Sequence, residues 1–562
     1  MNLKKNSYIN ASVKAPLLEQ IPYYPVNLGN DYGLDFDESK TALHDNHPLG
    51  NSMWLSKNNS EPIEIVFDFE GFYPIGDMCV WNYNRFDNKS NINYSPCGIR
   101  EVTLFTSVDG FKWKNLKADN EKIILAQANG EKDLKATNDI QGNPIDFNGI
   151  TARYVKILID PIPGLGNWDN ENTFQNSFGL SKVKFFLGEG YTVSYDEEWS
   201  ALFTNNDGWT GSDGVFTIPM SGSEASEQEI DTIITFGDTL IDKLDPVTLH
   251  RSDDFVMIHN SYCTLKDSKP LVENIEFFWD TNKEGKPESV FVPTVDVQND
   301  KSSEGYFWPQ DSAIINNSCY TFPMTILDFP EGPEGFQFKV DGVAMVVSPV
   351  ENNRISFHKG KQYKTNLYYD GKGTGDIMYG GCIYPNTVEG GSENPDGFIY
   401  VYGHKNVNFL ASLCVARVLK EEIENPDAWR YYDGQDWVEN IANSALLVEN
   451  VSCEMSISKI NGKLNNGKYL LVFQEFVNSP MISYRIGETP WGPFSEIKQL
   501  YCCPEPYTGG GKYAYNAKGH PHLSSKGEML ISYNVNTIAW EMHVKHGDLC
   551  RPKFIKMREI TE

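Results

Sequence analysis

Apolar and polar residues alternate in short runs along most of the chain, and clusters of glycine, asparagine and aspartate interrupt them. Residues 62–69 read PIEIVFDF, 102–107 VTLFTS, 152–159 ARYVKILI and 181–186 SKVKFF, with a further run at 75–83. A period of two over such lengths marks half-buried β-strands, and these predict an antiparallel sandwich over 41–190. The signature returns at 215–220, 230–236, 254–258, 290–293, 313–322, 343–348, 398–403, 412–418, 468–474, 482–486 and 528–535. The one helical candidate, 419–424, is stopped by Asn425-Pro426. The expected fold class is therefore all-β. With 562 residues the chain exceeds a single core. Residues 1–40 are polar and irregular, and read as an arm along the first domain. Residues 191–562 suit a propeller of roughly five four-stranded blades, with a large β-sandwich as the structural rival.

Composition narrows the partners. The formal net charge of -28 excludes nucleic acid and anionic membranes, which need clustered Lys and Arg. No run is apolar enough for insertion into a membrane. The 12 Trp, 29 Tyr and 31 Phe suit a β core and also supply platforms for sugar rings. The ten Cys show no paired metal spacing and several sit in apolar runs, so they read as buried thiols. With no apolar leader in the first twenty residues, a cytoplasmic location is expected; secretion after removal of a leader is the alternative.

The stretch 209–240 holds two aspartates in turn-like settings, Asp213 in GSDG and Asp238 in FGDT. A strand leaves the first turn and another leads into the second. If those strands pair antiparallel, both carboxylates meet at one end of one sheet. Glycosidic bond cleavage needs such a pair, one as acid and one as nucleophile or base. Both also read as ordinary turn aspartates bonding their own backbone.

Two resemblances extend this reading. The order MWLS, IEIVFDF, MCVWNYN, GIREVTLFTSVDGFKW, ARYVKILI and GLSKVKFF over 40–190 resembles discoidin-type domains, whose sugar-binding members are carbohydrate-binding modules. That likeness implies a jelly roll with binding loops at one end, and Trp81, Tyr83 and Trp168 as aromatics for sugar. It also implies a structural calcium, with His44-Asp45-Asn46 as the calcium loop and Asp45 as a ligand. The acidic residue usual in the closing strand of the family is replaced by Lys182. Residues 205–545 resemble a family of five-bladed propellers whose characterised members include endo-D-arabinanases. The motifs are SDG at 212, FGDT at 236, HNS at 259, FWPQD at 307, VARV at 415, TPWGPFS at 489 and KGHPH at 518. This likeness implies that Asp213 and Asp238 are the catalytic carboxylates. The Ser/Glu-rich tip at 221–229 lengthens the spacer between them.

The remaining candidates are assigned to substrate binding. Asp311 follows Trp308-Pro309 and orients a sugar or caps a turn. Arg417, in an apolar strand, needs a carboxylate partner. Glu454 is a reserve catalytic carboxylate, and Asn260 and His520 are hydrogen-bonding candidates. His250 and His259 read as structural histidines. No cofactor is expected for catalysis, since no zinc helix, P-loop or serine elbow is present. The expected function is a glycoside hydrolase acting on oligo- or polysaccharides with furanoside, first D-arabinofuranosyl, linkages. The rivals are a non-catalytic glycan-binding protein and a polysaccharide lyase.

Overall fold

The computed structural model describes the chain except residues 1–2, 17–22, 36–39, 58–60, 119–120, 133, 137–143, 253, 334–336, 373–374, 408–409 and 562. Among the described residues the chain is all-β apart from short 3-10 turns and two helices, Glu197–Ala201 and Trp540–Lys545. It divides into two units. The first is Met1–Ser194 with Arg558–Glu562, and the second is Tyr195–Met557.

The first unit is a β-sandwich. Its strands include β1 (Tyr8–Ile9), β2 (Ser12–Lys14), β3 (Trp54–Lys57), β4 (Ile63–Asn82), β5 (Glu101–Ser107), β6 (Ile145–Ile159) and β7 (Ser177–Leu187). β6 lies antiparallel between β4 and β5, and β7 pairs with β1, β3 and the far half of β4. The runs expected as two strands at 62–69 and 75–83 are one long strand. Glu70, with φ 55, turns it without ending it. The polar N-terminal stretch is more than an arm, because β1 and β2 pair with β7 and β4. Alternate residues of the long strands fill the core, among them Ile65, Phe67, Val155, Ile157 and Phe185. Trp81 and Tyr83 belong to this interior and have no exposed surface, so they correct the expectation of loop aromatics. The Trp81 indole N–H donates to Ala42 O at 2.9 Å.

The second unit consists of antiparallel sheets, the first two of which interleave in sequence. β8 (Asp207–Ser212) pairs with β11 (Thr239–Lys243), while β9 (Phe216–Pro219) pairs with β10 (Thr232–Phe236). β10 then pairs with β12 (Ser261–Leu265). Further on come β13 (Tyr306–Trp308), β14 (Ser312–Ile315), β15 (Ser318–Thr321), β16 (Ile377–Pro385), β17 (Met455–Lys459), β18 (Lys512–His520) and β19 (Glu528–Thr537). Five strands from five sheets lie side by side in the order β9, β14, β16, β17, β18. The order returns to its start, since Thr217 Oγ1 of β9 and His520 Nδ1 of β18 are 2.9 Å apart.

Three local expectations change. Residues 313–322 are a hairpin, because Asn316 and Asn317 take φ of 50° and 60° and make the tight turn between β14 and β15. Residues 290–293 form no strand, although Val290 and Phe291 are buried. Residues 419–424 hold only a 3-10 turn, Lys420–Glu422. None of the ten cysteines is in a disulfide.

Candidate functional site

Pairing of β9 with β10 brings the two aspartates together. Phe216 faces Thr235, so the residues before β9 and after β10 share one end of the sheet. The Asp213 N–H donates to Asp238 O at 2.7 Å, and the Gly237 N–H donates to Asp213 O at 2.7 Å. The turn between Asp213 and β9 needs glycine. Gly214 has φ 66, and a side chain there would press on the Phe216 ring and stand 3.5 Å from Glu454 Oε1. A third acid therefore faces the turn that holds Asp213. Asp213, Asp311 and Glu454 all sit just ahead of strands of the side-by-side row, β9, β14 and β17.

The environments of these acids differ. Asp213 Oδ1 is sealed from solvent and has no hydrogen-bond partner among the described residues. Burial, then the charges of Asp238 and Glu454, push its carboxyl well above the usual carboxylate range. Asp238 Oδ1 instead accepts from the Trp308 indole N–H at 2.9 Å and from His259 Nδ1 at 2.9 Å. The His259 ring stacks on Tyr306 at 3.7 Å and 13°. Glu454 is held by the Lys518 ammonium at 2.7 Å. That ammonium also lies 3.1 Å from the centre of the Phe216 ring. Asp311 is pushed up to about 7 by burial, with Lys518 opposing the shift. Its carboxylate accepts from the Ile383 N–H at 2.7 Å and the Ser312 N–H at 3.0 Å. Burial and the charge of Asp213 raise the Tyr513 hydroxyl as well. Tyr306, Trp308 and Tyr513 are all half-buried and flank the acid cluster.

The other candidates are placed as follows. Asn260 is buried and spends its amide on the backbone of Phe291 and Phe307, with bonds of 2.8, 3.0 and 3.0 Å. Those bonds explain why 290–293 stays irregular. Arg417 has aromatic partners in place of the expected carboxylate, with its guanidinium 4.1 Å from the Phe398 ring and 4.0 Å from the Trp437 ring. His520 is buried between Thr217 and Ser532, 2.8 Å from the latter, and burial drives it well below the usual histidine range. His522 lies 3.2 Å from Glu224 in the inserted tip. Asp45 lies in the first unit, where its Oδ1 accepts from the Ser52 hydroxyl at 3.0 Å.

The tip at 221–229 follows β9, so it lies at the other end of that strand from Asp213. Its backbone and side chains bond the loops after three other strands. The Glu224 N–H donates to Gly390 O (3.1 Å), Asn461 Nδ2 to Ser226 Oγ (2.6 Å), and the Glu227 N–H to Ser524 O (3.3 Å).

Four residues of the cluster escape sequence reasoning: Lys518, His259, Tyr306 and Tyr513. A weak signal exists for two of them. Lys518 is a cation in the buried half of a strand, and Tyr306 lies two residues before Trp308, on the same face.

Fold and site together define a two-unit all-β protein with a carboxylate cluster at one end of adjoining sheets. The chain belongs to the family described as Domain of unknown function (DUF5005), whose model matches residues 196–560. No curated protein matches it. Among solved structures it is similar to a provisionally named hydrolase from Bacteroides ovatus. That protein is 19% identical over 65% of this chain and 90% of its own, with a TM-score of 0.50, a likeness of fold. A CBM32 module from Clostridium perfringens, in complex with GalNAc-β-1,3-galactose, is 13% identical over 32% of this chain and 99% of its own, with a TM-score of 0.19. A fucose-binding module of Streptococcus pneumoniae is 12% identical over 33% of this chain and 95% of its own, with a TM-score of 0.20.

Proposed function

We propose that the second unit is a five-bladed β-propeller and a glycoside hydrolase, with Asp213 as the general acid and Asp238 as its partner carboxylate. The closed order of the five neighbouring strands supports the propeller. The contrast between the two acids carries the catalytic reading. One carboxyl is desolvated, unpartnered and crowded by negative charge, which keeps a proton available for a leaving oxygen. The other is an acceptor aimed by an indole and an imidazole, which fixes a carboxylate for attack on the anomeric carbon or on a water. Tyr306, Trp308 and Tyr513 offer ring faces beside the pair for a neutral sugar. The furanoside preference, with D-arabinofuranosyl linkages first, rests on the motif resemblance. The first unit is assigned to holding glycan, with Trp168 as the remaining loop aromatic.

The test is digestion of a glycan panel with the parent protein beside Asp213→Asn and Asp238→Asn. New reducing ends from a furanoside with the parent, and none with either variant, support the proposal. Binding without reducing ends on any glycan would instead favour a non-catalytic glycan-binding protein. An ultraviolet-absorbing unsaturated product would favour a lyase.

Glu454 and Lys518 tune the acid in this scheme. Glu454→Gln removes a negative charge that disfavours ionisation of Asp213, so Asp213 should lose its proton at a lower pH. The alkaline limb of the kcat/KM profile is expected to move to lower pH, by up to about one unit. A limb that stays in place assigns that ionisation to another group.

A further inference from the structure

The closing strand β7 carries Lys182, which has no exposed surface. Its ammonium donates to Asn27 O, to Asn30 Oδ1 at 3.0 Å and to Ser52 O at 2.8 Å. An ammonium has three N–H donors, so all three are used. Burial pulls the ammonium down to about 7, and the nearby charge of Asp45 opposes that shift. The oxygens belong to two separate loops. One holds the 3-10 turn Pro25–Leu28, and the other runs from the His44-Asp45-Asn46 segment to Ser52. Two residues along the same face of β7, Lys184 makes an ion pair with Asp31 of the first loop.

Main-chain carbonyls, a side-chain amide and a carboxylate are the oxygen donors that suit calcium. The discoidin-like sequence implies calcium at this loop, but the residues present do not fit it. Three of the oxygens accept from an ammonium that is covalently anchored and cannot leave. Charge points the same way. A carboxylate in the closing strand plus a divalent cation carries a net charge of plus one, and so does a lysine alone.

We propose that Lys182 is a tethered cation that takes the place of a metal ion and fastens the Asn27–Asn30 and Asp45–Ser52 loops of the first unit. The module is then independent of calcium and resistant to chelators, and this holds whether or not the second unit hydrolyses glycans.

The test is thermal unfolding of the full chain, followed through aromatic signals of both units, in calcium and in EDTA. The parent is expected to melt at the same temperature in both. Lys182→Met leaves three buried acceptors without donors and is expected to lower the melting temperature of the first unit by about 5 °C or more in either condition. Lys182→Glu is expected to be destabilised in EDTA and to recover in millimolar calcium, because carboxylate plus metal restores the net charge. A parent whose melting temperature rises with calcium overturns the proposal. So does Lys182→Met melting like the parent, or Lys182→Glu that calcium does not restore.

Discussion

Asp213→Asn is expected to lower kcat on natural glycans by about 10²–10⁴-fold, the usual worth of a positioned general acid. The amide is close in size to the carboxyl, and the Asp213 backbone bonds to Asp238 and Gly237 do not depend on the side chain. The fold should therefore persist, with a melting temperature near that of the parent or above it. A raise is reasonable, because the substitution removes a carboxyl that burial and two neighbouring acids disfavour in its charged form. The loss should depend on the leaving group. An aryl glycoside with an acidic phenol departs without a proton, so its hydrolysis should fall far less than that of a sugar-to-sugar bond. Steady-state kinetics on both substrate types checks this. An equal loss on both would show that Asp213 does not deliver a proton.

Asp238→Asn is expected to cost more, on the order of 10⁴-fold in kcat, as when one member of a catalytic unit is removed. It should cost the same on both substrate types, because attack on the anomeric carbon is needed whatever leaves. The amide oxygen can still accept from Trp308 and His259, so loss of activity would reflect loss of the charge and not displacement of the side chain. Azide offers a second readout. In Asp238→Ala, which opens the space of the carboxylate, a small external anion should restore turnover and appear in the product as a glycosyl azide. Trp308→Phe separates aim from charge: it keeps the carboxylate and removes one donor, and about a tenfold loss is expected.

Most of the strands, and the meeting of Asp213 with Asp238, were legible because both depend on local pattern. Alternation over a few residues reports which side of a strand is buried. A hairpin places its two ends together whatever its tip does, so the longer 221–229 insertion left the pair intact. The rest of the cluster depends on which sheet lies beside which. Nothing near Glu454 in sequence announces Lys518, and nothing near Asp238 announces Tyr306. Arg417 illustrates the same limit: its need for a partner was legible, but two aromatic faces met that need. His259 reads as structural in the sequence because one histidine in a short turn carries no address; its ring is placed by the stacked Tyr306 and the carboxylate of Asp238.

The inserted tip has a consequence for how the second unit comes apart. Several strand pairs, such as β9 with β10 and β14 with β15, join neighbours in sequence and can form early and locally. The bonds from residues 224–227 to Gly390, Asn461 and Ser524 join segments far apart in the chain, and such contacts close late. Interactions absent from the folding transition state slow unfolding without slowing folding. The tip is therefore a latch on the lifetime of the assembled unit, acting from the end remote from Asp213. A chain with a shortened tip is expected to unfold faster and to be cut sooner by protease, without folding more slowly.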